Sequence, residues 1–506
     1  MPTVAINKWS DGMVNDPRNT REGVCRFSQG FDALTNPHKL TPYRSSIDGD
    51  TSSTTSKKAN FAMALDGSGN YNVYGLGVVS GSGKAEVLSK AITDNSTNDL
   101  SDGTWAAPSN NASSTGTSSM DLFTYYAKTG LIYGARGGNL IWAFSPTGTA
   151  WDDDVESAGG EDLNGWTYTN IAEGLVHSKD DILYVPYDNK IMSNNNGTWV
   201  QGVITIPSHF KITSIAEYGN FIAIAAAPLS GFGKAVVYLW NRDDSLTTLS
   251  ESIQWGDGQL KIIAEVDGQL VGASIGTTRF EPRITFRYLI GNRARKFLEI
   301  TSDDAGLEEL NSGKQITDNR LYFMMGVTLD GTIRQGVWSI GWDDDAATFT
   351  LQMENTCEND TAISASSVAL LAFMKVGSYT FQAYKDVTPN NAVSLTSSSA
   401  TYSSTARRDT TINPNMTEAD RSKEKQLKSI SINASAANVQ VYYRVDAGSW
   451  VSIITTPASG VTEAVIDSNG DQFASGREYE FKIESITSGG EVIELKYSYD
   501  LQDSQI

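Results

Sequence analysis

Two stretches near the middle of the chain, residues 212–227 (ITSIAEYGNFIAIAAA) and 262–276 (IIAEVDGQLVGASIG), follow one plan. Each contains an apolar strand pattern, a two-residue polar turn and a second apolar strand pattern. The turns contain Tyr-Gly-Asn and Val-Asp-Gly, residue types that tolerate the positive φ of a tight hairpin. The two stretches therefore predict antiparallel hairpins that recur along the chain.

Weaker copies of the pattern start near residues 61, 122, 174, 314 and 363. Most gaps between successive starts are close to the ~40–50 residues that four short strands with their turns need. Seven copies predict a closed β-propeller over residues 61–390. The alternative is a β-sandwich or solenoid with similarly spaced hairpins. The propeller is favoured because the unit repeats as an inner-strand hairpin and not as a coil.

The flanking segments differ from the repeat. Residues 1–60 contain polar turns and a low-complexity tract, which predict an extended arm; residues 24–31 are expected to supply a strand that closes the propeller. Residues 391–425 are rich in Ser and Thr and are expected to form a linker. Six alternating strand patterns in residues 426–506 predict an antiparallel β-sandwich. The predicted fold is all-β: a β-propeller of about seven blades, an N-terminal arm and a C-terminal β-sandwich.

Composition narrows the function. The 506 residues include 59 acidic and 39 basic side chains, a net charge of −20, which disfavours tight binding to nucleic-acid phosphates. Two cysteines cannot build a disulfide scaffold or a cysteine-based zinc site. The longest apolar run, residues 221–228, is too short to span a bilayer. No signal-peptide pattern opens the chain. We therefore expect a soluble protein with no cofactor and no membrane insertion.

One motif resembles a catalytic nucleophile. Residues 272–276 (GASIG) match the G-x-S-x-G pattern, in which a strand-to-helix turn exposes the serine, here Ser274. The flanks are strand-like, no helix pattern follows, and the three histidines (His38, His177, His209) all precede the serine. We expect a small-residue inner strand, assign no catalytic residue and predict that the protein is not an enzyme.

Two further motif types also have simpler explanations. Residues 77–84 (GVVSGSGK) lack the first Gly and the final Ser or Thr of a phosphate-binding loop and predict a hairpin turn. Residues 152–154 and 343–345 are acidic triplets. Asp467, Asn469 and Asp471 are the most loop-like Ca²⁺ candidates, but Ca²⁺ prefers six to eight oxygen ligands. Solvated turns are the favoured interpretation of all three acidic clusters, so no metal site is assigned.

Three tryptophans, Trp105, Trp166 and Trp199, follow glycine turns and are expected to cover apolar contacts between blades, with sugar stacking as the alternative. The two cysteines, Cys25 and Cys357, are expected to be separate buried thiols, although a bond between them stays open.

A basic stretch extends over residues 407–428. It contains six basic and four acidic side chains, a net charge of +2. This charge is too weak for a phosphate-binding patch, so we expect the stretch to meet acidic surface on a neighbouring subunit.

The arm carries a family resemblance. Residues 7–13 (NKWSDGM), 16–18 (DPR), 31–32 (FD) and 40–44 (LTPYR) resemble the opening of tailed-bacteriophage virion proteins. Those chains begin with N-x-[FW]-x-G-G, D-P-R, F-D and L-x-P-R segments; Asp11 replaces the first Gly of the pair here. Residues 428–450 are similar to β-sandwich modules at the end of such proteins. The chain thus resembles the β-propeller tail nozzle or hub proteins of short-tailed phages.

The resemblance implies a structural role in the virion tail. Nozzle-like proteins form a six-fold ring around the DNA exit channel, so the implied partners are further copies of the chain and other tail, portal or adaptor proteins. DNA would pass an acidic lumen without tight binding. Two alternatives stay open: a glycan-binding virion protein for host recognition, and a propeller glycoside hydrolase with two carboxylates about 5–10 Å apart.

Overall fold

The structure is a computed structural model. It describes residues 2–10, 13, 18, 24–36, 38–44, 46–48, 60–78, 85–91, 105, 118–136, 140–147, 151–152, 155, 168–230, 233–242, 249–277, 282–301, 309–329, 332–343, 347–357, 369–377, 379–385, 391–396, 406–435, 439–453, 459–485 and 491–502. Within these ranges, no helix has the length and apolar character needed to cross a membrane.

Strands dominate the described chain. Five precede the first repeat: β1 (Thr3–Ile6), β2 (Cys25–Gln29), β3 (Phe31–Asp32), β4 (Thr41–Pro42) and β5 (Ser46–Asp48).

The first four repeats contain fifteen strands in chain order: β6 (Asn60–Leu65), β7 (Tyr71–Val78), β8 (Ala85–Ala91), β9 (Ser118–Tyr126), β10 (Leu131–Arg136), β11 (Leu140–Phe144), β12 (Trp151–Asp152), β13 (Leu175–Val176), β14 (Leu183–Tyr187), β15 (Lys190–Asn195), β16 (Thr198–Thr205), β17 (Phe210–Tyr218), β18 (Phe221–Pro228), β19 (Lys234–Trp240) and β20 (Glu251–Asp257).

The later repeats continue with β21 (Gln259–Val266), β22 (Gln269–Thr277), β23 (Pro282–Ile290), β24 (Arg293–Thr301), β25 (Glu309–Thr317), β26 (Arg320–Leu329), β27 (Thr332–Asp343), β28 (Thr348–Thr356), β29 (Ala369–Val376), β30 (Tyr379–Lys385) and β31 (Asn391–Thr396).

The C-terminal region contains β32 (Arg407–Thr410), the short helix α1 (Glu418–Arg421), β33 (Lys425–Ala434), β34 (Val439–Val445), β35 (Val451–Ser452), β36 (Gly460–Ala464), β37 (Ser475–Gly476), β38 (Tyr479–Ser485) and β39 (Val492–Leu501).

Seven sheets follow one another in chain order and form a seven-bladed β-propeller. Blade 1 is β6–β8, blade 2 is β9–β12, blade 3 is β13–β16, blade 4 is β17–β20 and blade 5 is β21–β24. Blade 6 contains β25–β27, and blade 7 contains β29–β31 with β5. The inner strand β29 of blade 7 packs beside the inner strand β6 of blade 1, so the propeller is closed. The predicted all-β propeller is confirmed.

The sequence pattern explains the hairpins. Asp267 and Gly268 adopt φ values of 50° and 72°, and Asp318 and Asn319 adopt 51° and 59°, the positive values that a tight hairpin needs. Small residues let large ones pack: a Cβ on Gly134 would lie 2.0 Å from the Trp142 ring. Glycine at this position therefore makes room for a fully buried tryptophan.

The strand that completes blade 7 comes from the arm but not from the predicted residues. Strand β5 adjoins β31 as the outermost strand of the blade. Residues 24–31 instead contain β2, which pairs antiparallel with β32 and parallel with β28. The predicted linker is also wrong in part, because residues 391–396 form strand β31 and residues 407–410 form strand β32.

By its internal contacts the chain divides into two units. The first unit comprises residues 47–336 and 362–397. The second unit comprises residues 1–46, 337–361 and 398–506. All six strands predicted beyond residue 426 form, and two sheets make a β-sandwich. One sheet has the order β1–β39–β33–β36, and the other contains β2–β32–β38–β34–β35.

The arm, which the sequence predicted to be an extended segment, is part of the sandwich core. Ile6, Trp9, Phe31 and Leu40 are buried in the same cluster as Ile430 of β33. A polar segment gains a core by adding its few apolar side chains to a sheet that other residues build. The arm therefore contributes both strands and apolar contacts to the second unit.

Candidate functional site: the central cavity of the propeller

A cavity of about 610 Å³ lies where the inner hairpins of blades 3 to 6 converge. Its wall combines carboxylates, one lysine and a few apolar groups: Leu175, Ala216, Glu217, Gly219, Glu265, Asp267, Gly268, Lys314, Ile316 and Asn319. Volume and mixed lining fall within the range of small-molecule sites. We refer to it as the central cavity.

The carboxylates of the cavity tie successive hairpins together. Glu217 of blade 4 accepts hydrogen bonds from the backbone N–H and the hydroxyl of Ser178 in blade 3, at 2.5 and 2.6 Å. Glu265 of blade 5 stands at the equivalent position and accepts the Gly219 N–H at 2.9 Å. Asn319 of blade 6 donates to Asp267 at 3.2 Å. One repeated glutamate thus makes the same inter-blade bond twice.

Lys314 connects three blades. Its ammonium Nζ donates to the Ser214 hydroxyl at 2.6 Å, to the Ile215 carbonyl at 2.5 Å and to the Ile263 carbonyl at 2.7 Å. These acceptors belong to the inner strands of blades 4 and 5, whereas Lys314 belongs to β25 of blade 6. All three N–H groups of the ammonium are therefore used by the protein.

Glu173, in the segment before β13, is the counter-charge of Lys314. Burial raises the pKa of the Glu173 carboxyl, while the Lys314 ammonium and the Lys314 backbone N–H act in the opposite direction. Burial lowers the pKa of Lys314, and the Glu173 charge opposes that shift. The Glu173 Oε2 atom is buried and has no hydrogen-bond partner among the described residues. The pair is therefore costly to form and strongly dependent on both members.

The described lining of the cavity offers carboxylate oxygens to a ligand. Both Glu217 oxygens are occupied by Ser178, whereas only one oxygen of Glu265 and one of Asp267 has a hydrogen-bond partner in the described part of the chain. Such an arrangement can accept hydrogen bonds from hydroxyl or ammonium groups.

Ser274 lies far from catalytic geometry. It belongs to strand β22, is 1% exposed, and its hydroxyl lies 3.4 Å from both the Thr285 carbonyl and the Arg287 guanidinium. The next described element is strand β23. The histidine with the most polar contacts is His177, whose Nδ1 atom lies 2.7 Å from Arg242 and 3.0 Å from Asp180. Within the described residues, His177 and Ser274 do not form a hydrogen-bonded pair.

The calcium candidates form a closed turn. Asp467 accepts the backbone N–H groups of Asn469 and Asp471 at 2.8 and 3.1 Å, and is itself buried. Asp66 makes the same bonds to Ser68 and Asn70. Within the described ranges, no three His, Cys, Asp or Glu side chains are grouped so that they could hold a metal.

The other two acidic clusters (residues 152–154 and 343–345) lie partly outside the described residues. The same holds for the segment that resembles a phosphate-binding loop (residues 77–84). Asp152 is exposed in β12 and Asp343 is buried at the end of β27. Residues 153–154, 344–345 and 79–84 lie outside the described residues.

The tryptophans lie between blades where they are described. Trp105 packs against Phe61 of blade 1 and Phe381 of blade 7 at ring distances of 6.0 and 6.2 Å. Trp199 is fully buried against Tyr133 of blade 2. Trp166 lies outside the described residues.

Both cysteines are buried, and neither forms a disulfide bond. Cys25 belongs to β2, and Cys357 directly follows β28. The structure therefore contains two separate thiols and no disulfide between them.

Several cations of the basic stretch 407–428 have partners inside the chain. Arg407 pairs with Asp409 at 2.5 Å, and the buried Arg408 donates to the Trp9 carbonyl at 2.6 Å. Lys425 is fully buried and donates to four backbone carbonyls. These cations order the second unit from within.

Sequence inspection missed two features. Counted back from the hairpin turn, Lys314 occupies the position that Ile215 and Ile263 occupy in the two preceding copies of the repeat. A charged residue at an apolar position of the repeat was therefore the sequence signal for this site. The second feature is residues 283–298, which carry five basic side chains and no acidic one. This segment is more basic than the 407–428 stretch.

Comparison with known proteins yields structural neighbours only. No protein-family model matches, and no curated protein matches. The solved WD40 domain of Toxoplasma gondii coronin is 10% identical, with 78% of this chain and 95% of that chain covered and a TM-score of 0.42. Trypanosoma rangeli sialidase is 10% identical, with 98% and 96% covered and a TM-score of 0.33. A thermostable family-43 glycoside hydrolase is 9% identical, with 47% and 93% covered and a TM-score of 0.30. Similarity this low carries no argument about function.

Proposed function

We propose that the chain is a structural, ring-forming protein of a phage tail, similar to a nozzle or hub. Copies of the chain surround the exit channel, contact other tail or portal proteins, and let DNA pass without tight binding. The proposal rests on the sequence resemblance of the arm together with one structural observation, the way in which the propeller is closed.

That observation is that two separate strand pairings join the beginning and the end of the propeller segment. Strand β5, which precedes blade 1 in sequence, adjoins β31 at the edge of blade 7. The segments that precede and follow the propeller pair again through β2 and β32, from Cys25 opposite Thr410 to Gln29 opposite Arg407. Both pairings join the two ends by backbone hydrogen bonds. A propeller whose two ends are joined by two strand pairings suits a component that transmits force.

The charge of the chain fits a conduit for DNA. A net charge of −20 repels phosphate at long range, and the repulsion grows as salt is removed. The basic stretch 407–428 does not offset this effect, because its buried cations are committed to internal partners. We therefore expect weak binding of duplex DNA at low salt.

Microscopy of the purified chain tests the proposal. Negative-stain images are expected to show rings of several copies, and light scattering is expected to give one oligomeric mass. A titration with labelled duplex DNA serves as the second measurement. A chain that stays monomeric at high concentration, or that binds duplex DNA tightly, contradicts the proposal.

A glycoside hydrolase is the second candidate, favoured by the carboxylates of the central cavity. Among the described residues, Glu265 and Asp267 each have an oxygen without a hydrogen-bond partner, as a sugar site or an acid–base pair requires. A screen with chromogenic glycosides decides this candidate. Activity that is lost in Glu265→Gln supports it, whereas activity that persists in this variant, or no activity on any glycoside tested, contradicts it.

A further inference from the structure

The outer hairpin of blade 5 carries a charge opposite to that of the whole chain. Residues 283–298 contain Arg283, Arg287, Arg293, Arg295 and Lys296 and no acidic side chain, while the chain carries −20. These residues include all of strand β23 except its first residue, and the first six of the nine residues of β24. We refer to Arg293, Arg295 and Lys296 as the basic edge.

The basic edge lies on the outermost strand of its blade. Strand β24 pairs with β23 on one side, and in the described part of the chain no strand pairs with its other side. The outer backbone N–H and C=O groups of such a strand are open to a further strand or to side chains. Arg293, Arg295 and Lys296 are all exposed.

Two of the three cations are not neutralised within the described residues. Glu299 pairs with Lys296 at 3.4 Å and with Arg283 at 3.2 Å. Arg293 and Arg295 form no ion pair there and project from the same face of β24, because they are two residues apart. Opposite them in the register lie Ile290, which is 47% exposed, and the buried Tyr288. The face thus combines two guanidinium groups with an exposed apolar side chain.

We propose that the basic edge is the contact by which one copy of this chain docks onto the acidic surface of a second copy. Charge complementarity selects this occupant, since every copy carries the opposite charge over most of its sequence. The inference rests on the proposed ring-forming function and adds a specific contact to it.

The same charges determine the symmetry of the contact. Two basic edges paired across a two-fold axis would place arginines opposite arginines, and like charges across strands destabilise pairing. The basic edge therefore meets a different surface of the next copy. Such head-to-tail contacts build rings when the rotation closes.

Edge protection is the competing explanation, because charged side chains often guard a strand edge from aggregation. The outer strand β16 of blade 3 has no charged residue, and β20 of blade 4 has only Glu251 and Asp257. A dense basic cluster is therefore not a general feature of the outer strands in this propeller.

The test compares Arg293→Glu/Arg295→Glu with the full-length wild type by light scattering and sedimentation. A control, Lys190→Glu/Lys234→Glu, makes the same change in net charge at two exposed lysines of blades 3 and 4. We expect the reversal to weaken self-association by about tenfold or more, the control to match wild type, and added salt to weaken wild-type association. Circular dichroism verifies folding, and the milder Arg293→Ala/Arg295→Ala variant is expected to give an intermediate loss.

Each contrary result has a distinct meaning. Oligomers that survive the reversal overturn this inference, leave the ring-forming proposal standing, and favour edge protection. Duplex DNA that binds through Arg293 and Arg295, without any effect on self-association, overturns it in favour of a nucleic-acid surface. A wild-type chain that never associates overturns both proposals.

Discussion

At the residue scale, Lys314 is the side chain on which the central cavity depends most. Its ammonium satisfies three acceptors from two neighbouring blades, and Glu173 is its counter-charge. Removal of one member of such a pair leaves the other charge uncompensated, whereas removal of both relieves that cost. The pair is therefore a sensitive probe of contacts between blades 3 and 6.

We expect Lys314→Met to lower the free energy of unfolding by about 3 kcal/mol, because Glu173 loses its cation and three acceptors lose their donor. Glu173→Gln also leaves a buried charge without its counter-charge but is expected to cost less, because the Lys314 ammonium keeps its three hydrogen-bond acceptors. In the double variant the loss is expected to fall below the sum of the single losses by at least about 1 kcal/mol. Urea denaturation of the four proteins measures this coupling, and additive losses would show that the two residues do not interact.

Tyr499 makes the second unit sensitive to alkaline pH. Burial and the hydrogen bond to Asp420 raise its pKa from 10.0 to about 12, because both disfavour the phenolate. In the unfolded chain the hydroxyl ionises near pH 10. The stability from this group is therefore complete below pH 10 and is lost as the pH rises from 10 to 12. Burial also raises the pKa of the neighbouring Tyr497.

In Tyr499→Phe, we expect a loss of about 1 kcal/mol below pH 10, from the missing hydrogen bond, and a shallower decline in stability above it. Denaturation at a series of pH values, with tyrosinate absorbance as a second signal, measures both effects. An unchanged slope above pH 10 would show that Tyr499 ionises equally easily in the folded and unfolded chains.

At the element scale, the three-residue strand β5 has an effect larger than its length. It completes blade 7, although the rest of that blade lies more than 300 residues later in the chain. Its pairing with β31 closes a ring that otherwise relies on side-chain packing between β29 and β6. Such long-range strand closure is slow to form and cooperative once it has formed.

We expect Ile47→Pro to weaken this closure, because proline removes a backbone donor and disfavours strand pairing. Hydrogen exchange is expected to show faster exchange of the β30 and β31 amides, with little change in β33 and β39. Ile47→Thr, which keeps the donor and the strand preference, is the matched control. Unchanged protection of β31 in the proline variant would mean that β5 contributes nothing to closure.

At the scale of the whole molecule, the second unit is assembled from three separate parts of the chain, and the sandwich takes strands from the first and the last of them. Strand β1 pairs with β39, and β2 pairs with β32, so both sheets of the sandwich need residues from the N-terminus. The chain enters and leaves the propeller between those parts. A contiguous C-terminal fragment therefore lacks strands of both sheets.

We expect the fragment 426–506 to stay unfolded, and deletion of residues 1–45 to unfold the second unit, because both lose Trp9 and its contacts. Trp9 is 1% exposed and donates to the Ile493 carbonyl at 3.2 Å. Circular dichroism and limited proteolysis measure the result, with the full-length chain as the control. A fragment that folds cooperatively would show that the arm merely covers a complete sandwich.

The sequence alone determined the class of this fold. Period-two apolar patterns, glycine and aspartate turns and a recurring hairpin predicted the propeller and all six C-terminal strands, because these signals depend on neighbours a few residues apart. It also predicted that Ser274 belongs to a strand of small residues, and the serine lies in strand β22.

Tertiary structure decided everything that depends on distant partners. Pairing of β5 with β31 and of β1 with β39 joins segments hundreds of residues apart, and no local pattern encodes such a choice. Burial assigned Arg408 and Lys425 to the interior although their sequence context resembles an exposed basic patch. Lys314 and Glu173 meet only because the propeller closes. Local propensity sets which strands form, but the free energy of burying apolar surface and pairing charges selects their partners.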